Sequence, residues 1–208
     1  MANIVKELKL SEFDIDIIKE LTNIGLGKSS RALGKLINKD ILVKITDISL
    51  IEKEKILTHV GGEQQIITVF EKISGNISGC LFNLLGEETS RSIVNCLNPQ
   101  EKNSDKELDS YSIDILKEYS NIIISSYISA ISKMVKFRMD LSPPTFFKVN
   151  SSEFIEKVFF KNFDESTTYL INIHTVLYAD NCEVPLYSDL IVNFNTESIN
   201  IILSEAKK

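Results

Sequence analysis

The chain has 208 residues, 43% of them hydrophobic and 25% charged, with a formal net charge of -6. That is ordinary globular usage, and a chain of this size buries a sizeable core without metal or disulfide staples. The acidic balance argues against a non-specific nucleic-acid binder, which needs a basic stripe to neutralise phosphates. The N-terminal MANIVKELKLSEFD carries charges throughout and lacks the apolar core of a signal peptide. No segment approaches the roughly 18 uninterrupted apolar residues of a membrane span, so the expected location is the cytoplasm, with no membrane insertion. Cys80, Cys96 and Cys182 form no CxxC pair and read as reduced thiols rather than metal ligands.

In chain order, a long helix opens after Ser11, which with Asp14 forms a capping-box pattern. Its apolar stripe is read as Ile17, Leu21, Ile24, Leu33 and Leu36, and Gly34, Asn38 and Lys39-Asp40 are its stop signals. Strands are expected over Ile41 to Leu50, Gln65 to Ile73 and Ile77 to Leu84, with Ser74-Gly75-Asn76 as the hairpin turn between the last two. A helix over Glu87 to Leu97 precedes Pro99. After the polar stretch Asn98 to Asp109, a second long helix runs from about Ser110 to Phe137. A short helix is expected near Ser152 to Phe160. The strands of this half are Thr145 to Val149, Thr167 to Tyr178 and Val184 to Asn193, with Asp180-Asn181 turning between the last two. A final helix covers Thr196 to about Glu205.

The chain repeats itself. IDIIKELTNI at Ile15 to Ile24 and IDILKEYSNI at Ile113 to Ile122 share seven of ten positions at an offset of 98 residues. The expected architecture is therefore α+β: one domain over residues 1–208, made of two α-β-β-β-α repeats at about 11–98 and 109–207. Three strands with one apolar face are marginal alone. Joining the halves gives one six-stranded sheet with long helices on its faces and a pseudo-two-fold axis. A fused pair has no need to dimerise for sheet completion, so a monomer is expected.

Asp16, Glu20 and Asn23 stand at i, i+4 and i+7, on one side of the first helix, and Asp114, Glu118 and Asn121 repeat the spacing on the second. A Glu and an Asn on a helix are ordinarily a solvated face. Their retention in both copies, while Leu21 and Tyr119 differ, points to use. A carboxylate can bind a partner's lysine or act as a base. A carboxamide donates and accepts at once, so it can hold a water in line with a phosphorus atom, as the glutamine of GTPases does. Neither is a strong nucleophile, and a covalent intermediate is not expected. His59 and His174 lie in other segments, without a partner pattern.

These residues resemble the CheC/CheX/FliY family of chemotaxis phosphatases. The family's pattern is Asp or Ser, three residues, Glu, two residues, Asn, then 22 residues and Pro. The second copy follows it throughout, at Asp114, Glu118, Asn121 and Pro144; the first follows it at Asp16, Glu20 and Asn23 and departs at Thr46. NIGLGKSSRAL at Asn23 to Leu33, NIIISSYISAIS, and SPP at Ser142 to Pro144 also resemble the family, over roughly Phe13 to Ile202. Two copies in a chain of this length resemble the two-motif CheC type.

The resemblance implies a CheC-like fold and a phosphatase acting on the phosphoaspartate of a CheY-like response regulator. Glu20 or Glu118 would pair with the receiver's active-site lysine, and Asn23 or Asn121 would orient the attacking water. Asp16, Asp114 and Pro144 would support the motifs. No cofactor or metal would be bound by the chain itself; the Mg²⁺ would belong to the receiver. The alternative implied is a non-catalytic module that sequesters phosphorylated CheY or regulates the receptor deamidase CheD.

Overall fold

The computed structural model describes residues 11–59, 65–98, 107–162, 169–179 and 185–207. The first helix, α1 (Glu12–Ile37), starts at the capping box: Ser11 Oγ accepts from the Asp14 backbone N–H at 3.2 Å, and Asp14 accepts from the Ser11 backbone N–H at 2.9 Å. It stops at Asn38, which takes the left-handed conformation (φ 53°) that Asn tolerates. Then follow β1 (Ile41–Glu52), a short turn of helix α2 (Ile56–His59), β2 (Gln65–Gly75), β3 (Gly79–Leu85) and α3 (Glu87–Leu97). The second half has α4 (Ser110–Val135), β4 (Met139–Leu141) and β5 (Thr145–Asn150). An irregular helical segment follows, α5 (Ser151–Glu153), which continues through a π-helical turn to Asn162. The chain ends with β6 (Tyr169–Ala179), β7 (Leu186–Phe194) and α6 (Thr196–Ala206). The expected turn at Asp180-Asn181 and most of the joining stretch lie outside the described residues.

The sheet has seven strands, not six, in the order β1-β6-β7-β3-β2-β4, with β5 also on β2. The extra strand is half of an expected one. Shifted by the 98-residue offset, β4 falls on Ile41–Val43 and β5 on Asp47–Glu52, so together they match β1. Along β1, Ile45 pairs with Thr175 and Asp47 with His174, leaving Thr46 without a partner as a bulge. Along the other edge, Ile73 pairs with Leu141 and Phe70 with Thr145, so Glu71 and Lys72 oppose three residues, Ser142, Pro143 and Pro144. Each edge thus carries one surplus residue at the position of Pro144 or Thr46, and Pro, which cannot donate to a ladder, is tolerated at such a bulge. The first strand of each half is exchanged: β1 lies on β6 of the second half, and β5 on β2 of the first.

The long helices are not shared between the two faces of the sheet. Both long helices lie on one face, with α3 and α6, over a core that includes Leu21, Leu33, Ile67, Leu81, Ile124 and Leu190. The other face is covered in part by the α5 segment, whose Phe154 and Phe159 rings stand 5.5 and 5.6 Å from Phe82. The stripe of α1 differs from the expected one as well. Ile24 and Leu36 are 46% and 57% exposed, while Ile18, Thr22, Gly25, Leu26 and Ser29 are buried. Small residues face inward because α4 is pressed against them: a Cβ on Gly25 would stand 2.8 Å from Tyr127 Cα. Thr22 and Ser29 tolerate burial because their hydroxyls donate to the carbonyls of Ile18 (2.7 Å) and Gly25 (3.3 Å), one turn earlier.

At the β2–β3 turn, β2 extends to Gly75, so the turn itself lies two residues later than expected, at Asn76 to Ser78. Gly75 has φ 115° and approaches the Arg138 carbonyl so closely that a Cβ there would stand 2.6 Å from it. Cys80 is a free, buried thiol, and Cys182 lies outside the described residues.

Candidate functional site

Both motifs stand on the long helices. On α1, Asp16, Glu20 and Asn23 are all exposed, on three successive turns of the side facing away from the core. The face is held in place at its start, where Lys207 Nζ lies 2.8 Å from Asp14 Oδ1 and ties α1 to the end of the chain. That contact, with the Ser11 hydroxyl and backbone N–H, holds the Asp14 carboxyl down at about 2. Asn23 lines a cleft of about 500 Å³ between α1 and β1, with Leu26, Arg31, Val43 and Lys44 on its walls. Glu20 looks into a second groove of about 410 Å³, between α1 and the last turns of α4, beside Ile24, Lys28 and Lys133. The Lys28 ammonium is pushed below its ordinary value, first by burial of its stem and then by the neighbouring Lys133 and Arg31 charges.

On α4, Asp114 and Glu118 are exposed and Asn121 is half-buried. Asp114 is engaged by Lys117 at 3.3 Å, an exposed pair of little energetic weight. Pro144 is half-buried in the break between β4 and β5, and Thr46, at the matching bulge, donates through Oγ1 to the His174 carbonyl at 3.2 Å. Among the described residues, no hydrogen bond ties up the side chains of Glu20, Asn23, Glu118 or Asn121. Their carboxylates and carboxamides are free to engage a partner. The fold brings α1 and α4 side by side, yet each Glu/Asn pair stays on its own helix.

Three features beneath the motifs were not legible in sequence. Asn83 of β3 donates to Ser120 Oγ at 3.0 Å, anchoring α4 to the sheet next to Asn121. The buried hydroxyls of Tyr119 and Tyr127 are paired with Ser188 and Thr22, and burial pushes Tyr119 up to about 12. Glu71 of β2 is 0% exposed, and neither carboxylate oxygen has a hydrogen-bond partner. Burial, and then the nearby Glu118 charge, push its carboxyl up to about 7. A charged residue with no exposure is rare; the sequence signal available was its apolar register, Ile67, Val69, Glu71, Ile73, on the inward side of a strand.

On the opposite face of the sheet, His174 Nδ1 lies 2.6 Å from Asp189 Oδ1 and its ring stacks on Tyr187. The pair lies beside Thr46, the first motif's bulge position, whose hydroxyl donates to the His174 carbonyl. No cluster of three His, Cys, Asp or Glu side chains forms among the described residues. No helix among them is long and apolar enough to cross a membrane.

Comparison with known proteins agrees with this geometry. Residues 112–147, which hold the whole second motif, match the CheC-like family. The chain is 26% identical to the CheY-P phosphatase CheC of Bacillus subtilis (strain 168) over 140 residues, 65% of this chain and 66% of that protein. It is 25% identical to the flagellar motor switch phosphatase FliY of the same organism over 138 residues, 65% of this chain but only 35% of FliY. The chain therefore spans about two thirds of one curated relative and about a third of the other. The crystal structure of Thermotoga maritima FliY superposes with a TM-score of 0.80 at 13% identity, covering 96% of this chain and 98% of that one. Over its second motif this chain is similar to the CheC-like family, and over nearly its whole length it shares the fold of Thermotoga maritima FliY.

Proposed function

We propose that the protein removes the phosphoryl group from the phosphoaspartate of a CheY-like response regulator. The observation that carries this reading is the pair of Glu/Asn sets, Glu20 with Asn23 and Glu118 with Asn121, three of them exposed and Asn121 half-buried, with no hydrogen-bond partner among the described residues. A group kept free on a helix surface serves a partner that brings the rest of the site. The phosphorylated aspartate and its Mg²⁺ would come from the receiver, so this chain needs no cofactor of its own. Each Glu would pair with the receiver's lysine, and each Asn would hold the attacking water in line with phosphorus. Catalysis would then come from positioning, which supplies several kcal/mol when a water and an acyl phosphate are held in near-attack geometry, about 7 or more at best. The relatives named above as phosphatases support the reading.

Asp16, Asp114 and Pro144 are supporting positions in this proposal. The domain is a single unit of two repeats, a reading supported by the matched bulges at Thr46 and Pro144. The experiment is phosphate release from a phosphorylated CheY-like receiver with Mg²⁺, beside a simple phosphomonoester. Acceleration on the receiver alone is expected. Hydrolysis of the monoester alone sinks the proposal, and stoichiometric binding of the receiver or of CheD without turnover favours sequestration or deamidase regulation.

A further inference from the structure

Glu71 is an acid where the packing wants a hydrocarbon. It points into the helix layer from β2, in line with Ile67, Val69 and Ile73, with no exposure and no partner for either oxygen. The helix over it is α4, which Asn83, diagonal to Glu71, holds at Ser120, and the charge that acts on Glu71 is that of Glu118, the carboxylate of the second motif. Among the described residues, the other elements packed around β2 offer no counter-ion. β3 presents Leu81 opposite it and Asn83 on the diagonal; β4 presents Leu141, and the facing break is Ser142, Pro143 and Pro144. On β5, Lys148 lies further along, opposite Ile67, and is held by Glu87 at 3.4 Å. On α4, Lys117 is taken by Asp114.

The arrangement belongs to one motif only. Thr145 and Asp47 are equivalent under the 98-residue offset, so their partners Phe70 and His174 correspond, and Glu71 corresponds to Thr175. Thr175 is buried too, but its hydroxyl is satisfied by Ser188 at 2.8 Å. A neutral hydroxyl pair therefore underlies one half of the sheet where an unpartnered carboxyl underlies the other.

We propose that Glu71 is a positioning residue for the second motif alone, supporting Glu118 from beneath as a neutral carboxylic acid and disabling that motif when it ionises. This rests on the phosphatase reading above. As the acid, Glu71 has one proton to donate, and Asn83 Oδ1, also buried without a partner, is the diagonal acceptor on the same face. As the anion, it places a second negative charge beside Glu118 in a site with no cation. One of the two must then take up a proton, or the turn of α4 bearing Glu118 must move. Where Glu118 takes the proton, or its turn moves, the carboxylate that should meet the receiver's lysine is lost.

The test isolates the two motifs. Asn23→Ala leaves the second motif working and Asn121→Ala leaves the first; each is made with and without Glu71→Gln, a neutral isostere of the acid. Receiver dephosphorylation is followed from pH 6 to pH 8. Dividing by the Asn121→Ala rate cancels the receiver's own pH dependence. In the Asn23→Ala protein the ratio should fall roughly tenfold, the loss of the neutral form of an acid titrating near 7. With Glu71→Gln the fall should vanish. The same pH profile with and without Glu71→Gln overturns the proposal. If no variant releases phosphate, the phosphatase reading fails, and the coupling is judged by carbon-13 titration of the Glu118 carboxyl. A second inflection near 7 that Glu71→Gln removes sustains it; a single unchanged curve refutes it.

Discussion

Replacing Glu71 by glutamine keeps the shape of the side chain and deletes its charge, so it isolates what burying that charge costs the fold. In the folded chain the carboxyl is pushed from 4.5 up to about 7, chiefly because it is fully buried and secondarily because Glu118 is near. Below pH 4.5 it is protonated whether the chain is folded or not, and contributes no pH dependence. Between 4.5 and about 7 the unfolded chain releases the proton and the folded chain keeps it, so stability falls as pH rises. Above 7 both states are ionised and the loss is complete. At 1.36 kcal/mol per pH unit, the full loss is about 3 kcal/mol. Glutamine has no such term. Urea melts of the two proteins at pH 4.5, 6 and 8 should show the stability of Glu71→Gln relative to the parent rising by about that amount. For a chain of this size it corresponds to roughly 6–12 °C in melting temperature. A difference that stays flat across this range, or one that grows in the opposite direction, would refute the argument that Glu71 is a partnerless buried acid.

Other outcomes follow from the same packing. Asn121→Ala should cost more receiver dephosphorylation than Asn23→Ala, because half-buried Asn121 is held more closely than exposed Asn23; the double variant should lose turnover while keeping its circular-dichroism melt. Gly25→Ala should destabilise by about 1–3 kcal/mol, since its methyl would meet the Tyr127 backbone at 2.8 Å. Gly27→Ala, with nothing within 4 Å of the new methyl, should stabilise by about 0.5–1 kcal/mol in the same denaturation assay. The Asp14 carboxyl, held at about 2 by Lys207 and Ser11, contributes stability that is present above 3.8 and lost as pH falls towards 2. The parent's advantage over Asp14→Asn should therefore narrow over that interval in acid titrations followed by fluorescence or circular dichroism.

Much of the architecture was written in local pattern, because local pattern is set by neighbours along the chain. The capping box at Ser11, the helix Glu87–Leu97 and the strand opening at Thr145 were legible from side-chain type and spacing. The repeat was legible because two stretches share seven of ten residues, and with it came the two Glu/Asn sets, of which Asn121 is the half-buried member. What the chain could not announce depends on which surfaces meet. The inward face of α1 is built on Thr22, Gly25 and Ser29 rather than Ile24 and Leu36, because α4 approaches too closely for large side chains. Both long helices share one face of the sheet because the two halves exchange their first strands and the α5 segment takes part of the other face. The surplus residue at Thr46 and Pro144 is visible only once a partner strand is laid beside it. Glu71 shows the division most sharply: its place on a strand was in the sequence, but its isolation beneath Glu118 was decided by every element packed around it.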